Sequence, residues 1–190
     1  MKKYIRKTTD GWMRIKLESS GKIQAVPEYL QVDFTENKAS RDYFTISEGV
    51  YKDQNASIQK GNLRSGSIHT GPAVLVFDKK NKKLIYNGVE TVTASTDDLN
   101  PITVGDHPIQ LPDFPHTLAN IYADETAYPM SWCYLGVGHA VPGNNDRYLH
   151  PGNISAGCVS VAPSGWTPLY EYLILSRNGD GKNVGKITVK

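Results

Sequence analysis

Apolar and polar residues alternate in short runs along most of the chain, with a period of two more often than 3.6. Trp12-Met13-Arg14-Ile15-Lys16-Leu17 sets apolar against basic positions, the pattern of a half-buried strand. Ser19-Ser20-Gly21 is a turn signal, residues 23–26 form a plausible partner strand, and residues 29–32 a third. Residues 34–70 are polar and poor in pattern; 43–46 reads as one strand and 60–67 as a linker or surface loop. The pattern then sharpens into a hairpin, 73–77 and 84–86 around a charged tip, followed by a strand over 89–94 and a loop over 95–101. Pro108, Pro112 and Pro115 forbid an ordinary helix between 101 and 118. Residues 134–137 read as a buried strand leading into a Gly- and Asn-rich loop, and 159–161 as another strand. Over 166–175, Trp166, Leu169, Tyr170, Leu173 and Ile174 recur at helical spacing, with Asn178-Gly179 as the stop signal. Residues 186–189 close the chain as a strand. The pattern predicts a mainly β (α+β) protein with one C-terminal helix. A soft boundary near residue 68 separates a β-rich extension of unknown role, 1–68, from the remainder, 69–190.

Length and charge narrow the function classes. A chain of 190 residues fits one domain, or one domain with an extension. Its apolar content of 39% and charged content of 21% are those of a soluble globular protein. A net charge of +2 makes no case for nucleic acid, which calls for a clustered basic face. The lysines of 79–83 read as a solvated hairpin tip. No apolar run reaches the roughly 18 residues of a membrane span. After Lys2 and Lys3 the chain turns polar, without the apolar segment of a secretory signal. The expectation is synthesis in the cytoplasm, with work there, as a mature form, or after export by a route that reads no such signal.

Candidate chemistry gathers in Arg147-Tyr148-Leu149-His150-Pro151-Gly152-Asn153-Ile154-Ser155-Ala156-Gly157-Cys158-Val159-Ser160-Val161. A free thiol, with a pKa of roughly 8.5, is mostly protonated at pH 7 and needs a base or a positive charge to become a nucleophile. An imidazole on the same short loop supplies such help. Gly157 permits a backbone turn that can aim N–H groups at an oxyanion. All five histidines (His69, His107, His116, His139, His150) precede Cys158, against the papain-like order, and the residues around the cysteine do not match the caspase signature. Two other readings use the same residues. Cys133 and Cys158 permit one disulfide, which would consume the nucleophile. Cys133, His139, His150 and Cys158 carry the ligand types of a structural zinc site, at irregular spacing and without a C-x-x-C pair. The proline-dense stretch carrying His107 and His116 suits the wall of a cleft or a stiff surface loop.

Ser155-Ala156-Gly157-Cys158-Val159, preceded by His150, resembles the active-site signature of the L,D-transpeptidase catalytic domain. That signature is a histidine, a spacer, then Ser/Thr-His-Gly-Cys and an apolar residue. The resemblance is to a divergent branch with a shorter spacer, which includes peptidoglycan-targeting type VI secretion effectors. It spans roughly residues 70–190, and within 1–68 the order Gly-Trp, strand, Gly turn, Val-Pro resembles part of a bacterial SH3-like module. It implies a β-sandwich or mixed-sheet catalytic domain over 69–190, with no cofactor and no metal. Cys158 becomes the acylated nucleophile and an upstream histidine its base. Ser155 supports the loop, and the backbone of Gly157 and Cys158 forms the oxyanion hole. Arg147 is placed to hold a substrate carboxylate, with Tyr148, His139 and His116 as further substrate contacts. His150 matches the short spacer, and His139, with fifteen residues between it and Ser155, matches the main family's; both stand as the base. Two departures are Ala156, where the family has histidine, and Pro151, where glycine usually follows the catalytic histidine.

The implied function is cysteine-dependent acyl transfer on peptidoglycan stem peptides, as transpeptidase, carboxypeptidase or D-amino-acid exchange enzyme. The expected site of action is the periplasm or cell wall. Delivery by a type VI apparatus into a target cell, with a cognate immunity protein as partner, reconciles that site with the absent signal. The alternative is a catalytically inactive wall-peptide-binding module of the same fold.

Overall fold

The computed structural model describes residues 1–137 and 146–190. In the first third, seven strands run as β1 (Lys2–Ile5), β2 (Trp12–Leu17), β3 (Ile23–Pro27), β4 (Gln31–Lys38), β5 (Arg41–Ile46), β6 (Asn55–Gln59) and β7 (Leu63–Arg64). Eight more follow as β8 (Ala73–Asp78), β9 (Lys83–Tyr86), β10 (Glu90–Ser95), β11 (Gly105–Gln110), β12 (Cys133–Val137), β13 (Asp146–Pro151), β14 (Val159–Val161) and β15 (Asn183–Val189). The helix α1 (Pro163–Leu175) lies between β14 and β15, and a 3-10 turn spans Thr117–Tyr122. The protein is therefore mainly β with one C-terminal helix. No helix among the described residues is long and apolar enough to cross a membrane.

The first sheet has the order β3-β2-β6-β5-β4-β1-β7 and the second β11-β15-β8-β9-β10-β14-β13-β12. Alternation builds both. In β2, Ile15 and Leu17 are buried while Arg14 faces solvent; in β8, Ala73, Leu75 and Phe77 are buried while Val74 is exposed. The two ends of the second sheet, β11 and β12, approach each other, so the sheet curls. The helix α1 packs against β13 and β15, and its Trp166, Leu169, Tyr170, Leu173 and Ile174 are all buried, as their spacing predicts. Within this sheet β13 pairs with β14 in parallel, in the register Leu149↔Val159, His150↔Ser160 and Pro151↔Val161. Leu149, Val159 and Val161 belong to the core, so Tyr148, His150 and Ser160 share the opposite face.

Several elements differ from the pattern. Residues 55–59, read as featureless, form β6 between β2 and β5; Ala56, Ser57 and Ile58 are buried in succession, so no alternation marks the strand. Residues 63–64 within the expected linker pair with β1. The helix ends at Leu175, where the pattern places its end, with Ser176 extended, and it begins three residues earlier than expected, at Pro163. Tyr29 is likewise a turn residue at φ 58°, and its strand starts at Gln31.

Arg177 explains its own position. Its Nε and Nη2 donate to Glu48 Oε2 and Oε1, each at 2.8 Å, and Nη1 donates to the carbonyls of Ile174 and Ser176. Glu48 also accepts from Gln31 N at 2.7 Å, so this buried pair ties the first sheet to the end of α1. Truncating one partner leaves the other charge largely buried without its counter-charge. Arg177→Met is expected to lower stability by about 3 kcal/mol, read as a lower urea midpoint, and adding Glu48→Gln is expected to recover part of the loss.

Candidate functional site

Between Pro151 and Val159 the chain has only seven residues in which to return to a parallel neighbour. A parallel connection usually needs about a dozen residues or more. The loop therefore doubles back on itself, and its backbone groups are held by side chains instead of a ladder. Ser155 Oγ accepts from Gly157 N at 3.0 Å and donates to Cys158 O at 2.7 Å. Ser160 Oγ donates to Ile154 O at 3.0 Å, Asn100 Nδ2 to Ala156 O at 3.2 Å, and Thr96 Oγ1 to Gly157 O at 3.2 Å. Asn153 N donates to Tyr122 Oη at 3.3 Å.

Gly157 is fixed by sterics. Its φ is +121°, and a Cβ there would lie 2.5 Å from Asn100 O and 2.7 Å from Arg147 Cζ. The return of the loop brings Cys158 level with Tyr148, whose N–H donates to Cys158 Sγ at 3.3 Å. The thiol is half-buried. Burial raises its pKa; the Tyr148 N–H and the Arg147 charge pull it down, and Asp146 pushes it up. The net result is a protonated resting thiol.

His150 is 6% exposed and lies on the same face as Tyr148 and Ser160. Its Nδ1 is 2.9 Å from Pro151 O, which can only accept, so Nδ1 carries the hydrogen and Nε2 is left as the basic nitrogen. Ser160 Oγ lies 3.3 Å from Nε2. Trp132 stacks on the imidazole at 4.3 Å and 22°. Burial lowers the His150 pKa to about 4; the Pro151 carbonyl opposes that shift and His116 adds to it. Both members are thus neutral at rest, and the hydrogen bonds of the described residues join Sγ to Tyr148 rather than to His150. A general base needs its lone pair, which a neutral imidazole has.

An aromatic column continues from His150. Trp132 stacks on His116 at 4.3 Å and 6°, and His116 on Phe114 at 4.4 Å, with the Phe114 ring 52% exposed. Asp113 fixes the column from the side, accepting from Tyr148 Oη at 3.1 Å and lying 3.0 Å from His116 Nε2. The half-buried Tyr148 phenol is held well above its ordinary pKa by burial and by the adjoining carboxylate.

The sequence candidates therefore separate. Cys158, His150, Ser155, Gly157, Tyr148 and His116 come together on one side of the β13–β14 pair. His139 lies outside the described residues. Arg147 does not share the face of Cys158 and His150: it is 1% exposed, its Nη2 donates to Asn100 Oδ1 at 2.8 Å, and it sits behind the loop. A substrate carboxylate cannot reach it there. The Gly157 N–H is also occupied, since it donates to Ser155 Oγ. The disulfide and the four-ligand zinc site are both ruled out by topology. Both cysteines are free, and Cys133, paired with Leu149 on the core face of β12, is separated from Cys158 by the whole of β13. Two strand spacings of about 4.8 Å exceed the reach of a disulfide. His107 bonds back to Thr103 O and lies on β11.

Trp132, Asp113, Asn100, Thr96 and Ser160 were not found from the sequence. Ser160 had a signal, since it alternates with Cys158 in a strand. Asp113 sits three residues before His116. Asn100 and Thr96 had none, because they reach the loop from a distant turn. Comparison with protein families, with curated proteins and with solved structures finds no match to this chain.

Gly157→Ala forces a clash and a left-handed backbone on a side chain, and is expected to cost about 2–5 kcal/mol in chemical denaturation. Acid is expected to act through His150. Its folded pKa lies below the unfolded value, so the unfolded chain takes up the proton first. Stability present above pH 6.5 is lost as the pH falls toward 4. The loss has an upper size of roughly 3 kcal/mol. Urea midpoints measured from pH 7 to 4 should fall more steeply in the wild type than in His150→Gln.

Proposed function

We propose that the protein is a cysteine acyltransferase of the L,D-transpeptidase type, acting on peptidoglycan stem peptides. One observation carries the reading: a half-buried thiol held by a tight Ser155–Gly157 loop, with a neutral imidazole on the same face of the adjoining strand. Cys158 and His150 are diagonal neighbours on that face, and a side-chain rotation on substrate binding closes Sγ onto Nε2. Contacts of this kind are often long until substrate arrives.

In the proposed reaction, Sγ adds to the carbonyl carbon next to a diaminopimelate-type residue while its proton passes to His150 Nε2. Cys158 N–H stabilises the oxyanion. The C–N bond then breaks, the terminal D-amino acid leaves with the proton from His150, and a thioester remains on Cys158. Water, a second stem amine or a free D-amino acid attacks the thioester, and the proton of that nucleophile returns through His150 to the thiol. These acceptors give carboxypeptidase, transpeptidase and exchange activity in turn. Ser155 keeps the loop closed, and the column through Trp132, His116 and Phe114 with Tyr148 forms the substrate wall. The site of action is then the periplasm or wall, and the branch resembled suggests delivery as an antibacterial effector that an immunity protein would neutralise.

A second reading has its own support. With Sγ bonded to Tyr148 and both ring nitrogens of His150 within reach of other groups, the same surface suits a module that binds wall peptides without turnover. Intact-mass measurement after incubation with a carbapenem separates the two. An enzyme is expected to gain an adduct on Cys158 that Cys158→Ala lacks, and to release the terminal D-amino acid from tetrapeptide muropeptides with activity lost in the same variant. Muropeptide binding without adduct or release would establish the binding module instead.

A further inference from the structure

We propose that Arg147 is a positioning residue for the Cys158 thiol, setting its charge and its seat from behind the sheet. This deepens the acyl-transfer reading and rests on it for its purpose, although the chemistry of the thiol can be read without any substrate.

The placement follows from strand alternation. Tyr148 and His150 point to the site face of β13, so Arg147 points to the core face with Leu149. A guanidinium is costly to bury unless its hydrogens are bonded. Nη2 donates to Asn100 Oδ1 at 2.8 Å and Nη1 to Asp146 O at 3.2 Å. The missing side chain of Gly157 makes room for it: the position of a Cβ would lie 2.7 Å from Cζ and 2.9 Å from Nε. The cation is thus in direct contact with the residue before Cys158. Asn100 links both parts, accepting from Arg147 and donating to Ala156 O. The adjoining Tyr148 N–H meets Sγ, so a thiolate would be faced by a peptide donor and a buried positive charge. Asp146, held by Tyr134 Oη at 3.0 Å, is the opposing charge and the weaker one. On the site face His150 and the Tyr148 phenol are neutral, and the Asp113 carboxylate and His116 lie beyond the phenol.

The test is the pH profile of Cys158 alkylation by iodoacetamide, with the adduct located by peptide mass to exclude Cys133. Arg147→Met is expected to raise the midpoint by about one pH unit, a tenfold slower reaction at pH 7.5. Arg147→Lys keeps the charge and is expected to stay close to wild type. Asn100→Asp places a carboxylate against Nη2, cancels the charge and is expected to raise the midpoint as Arg147→Met does. Near-UV circular dichroism reports whether each variant is folded; if Arg147→Met is not, Asn100→Asp decides. A folded variant that removes or cancels the charge and still alkylates with the wild-type profile overturns the assignment. Shifted profiles in a protein that never forms an acyl adduct would remove the acyl-transfer reading and leave the role of Arg147 standing. An adduct with unshifted profiles would do the reverse.

Discussion

Seven residues between two parallel neighbours in one sheet are the constraint on which the site depends. The chain leaves β13 at Pro151 level with Val161 and must re-enter at Val159 level with Leu149, so it runs backwards before it goes forward. A loop that reverses so soon has no ladder to satisfy its peptides, and buried peptides without partners are costly. Ser155, Ser160, Asn100, Thr96 and Tyr122 fill that need. The same reversal places Cys158 opposite Tyr148 and diagonal to His150. Cys158 and His150 therefore owe their placement to strand register, which packing of the core face by Leu149, Val159 and Val161 holds in turn.

The two faces of this strand pair have different electrostatic jobs. The core face carries Arg147, a buried cation behind the loop. On the site face the imidazole of His150 is covered by Trp132 and the thiol is half-covered by its loop, with the Asp113 carboxylate further out against Tyr148 and His116. A dry face resists charge in the resting state, which is why burial drives the imidazole pKa down and the thiol pKa up. It also makes any charge that forms during reaction feel the Arg147 cation and the Tyr148 dipole more strongly than it would in water. Resting neutrality and assisted ionisation are two consequences of the same burial.

Periodicity made much of this fold legible. The β8–β9 hairpin, β2, and the apolar face of α1 each bury one side, so their sequences alternate or repeat. The β6 strand did not show because Ala56, Ser57 and Ile58 are covered on both sides, and covered small residues look like loop. The candidate nucleophile, histidine and supporting serine were legible because all three lie in one short stretch. Arg147 was misplaced for a physical reason. A charge in a strand reads as solvent-facing unless its partner is known, and Asn100 lies 47 residues away. Trp132 and Asp113 were hidden in the same way: Trp132 meets His150 across the β12–β13 pairing and Asp113 arrives by the approach of β11 to β12, and neither leaves a local pattern.

The two departures from the resembled motif follow from how this loop is held. At position 156 the side chain is exposed and the carbonyl is what the structure uses, through Asn100. Alanine at this position therefore leaves the loop's own bonding intact. At position 151 the carbonyl again carries the function, taking the Nδ1 hydrogen of His150, and proline supplies a carbonyl as well as any residue does. Gly157 and Ser155 have no such freedom. One has no space for a Cβ, and the other binds the loop from within at both Gly157 N and Cys158 O. A backbone-held loop tolerates change at positions that contribute only peptide groups and resists it where packing or a hydroxyl closes the turn. Of the residues that match the motif, 155 and 157 are ones this geometry cannot exchange, and the two that depart from it are ones it can.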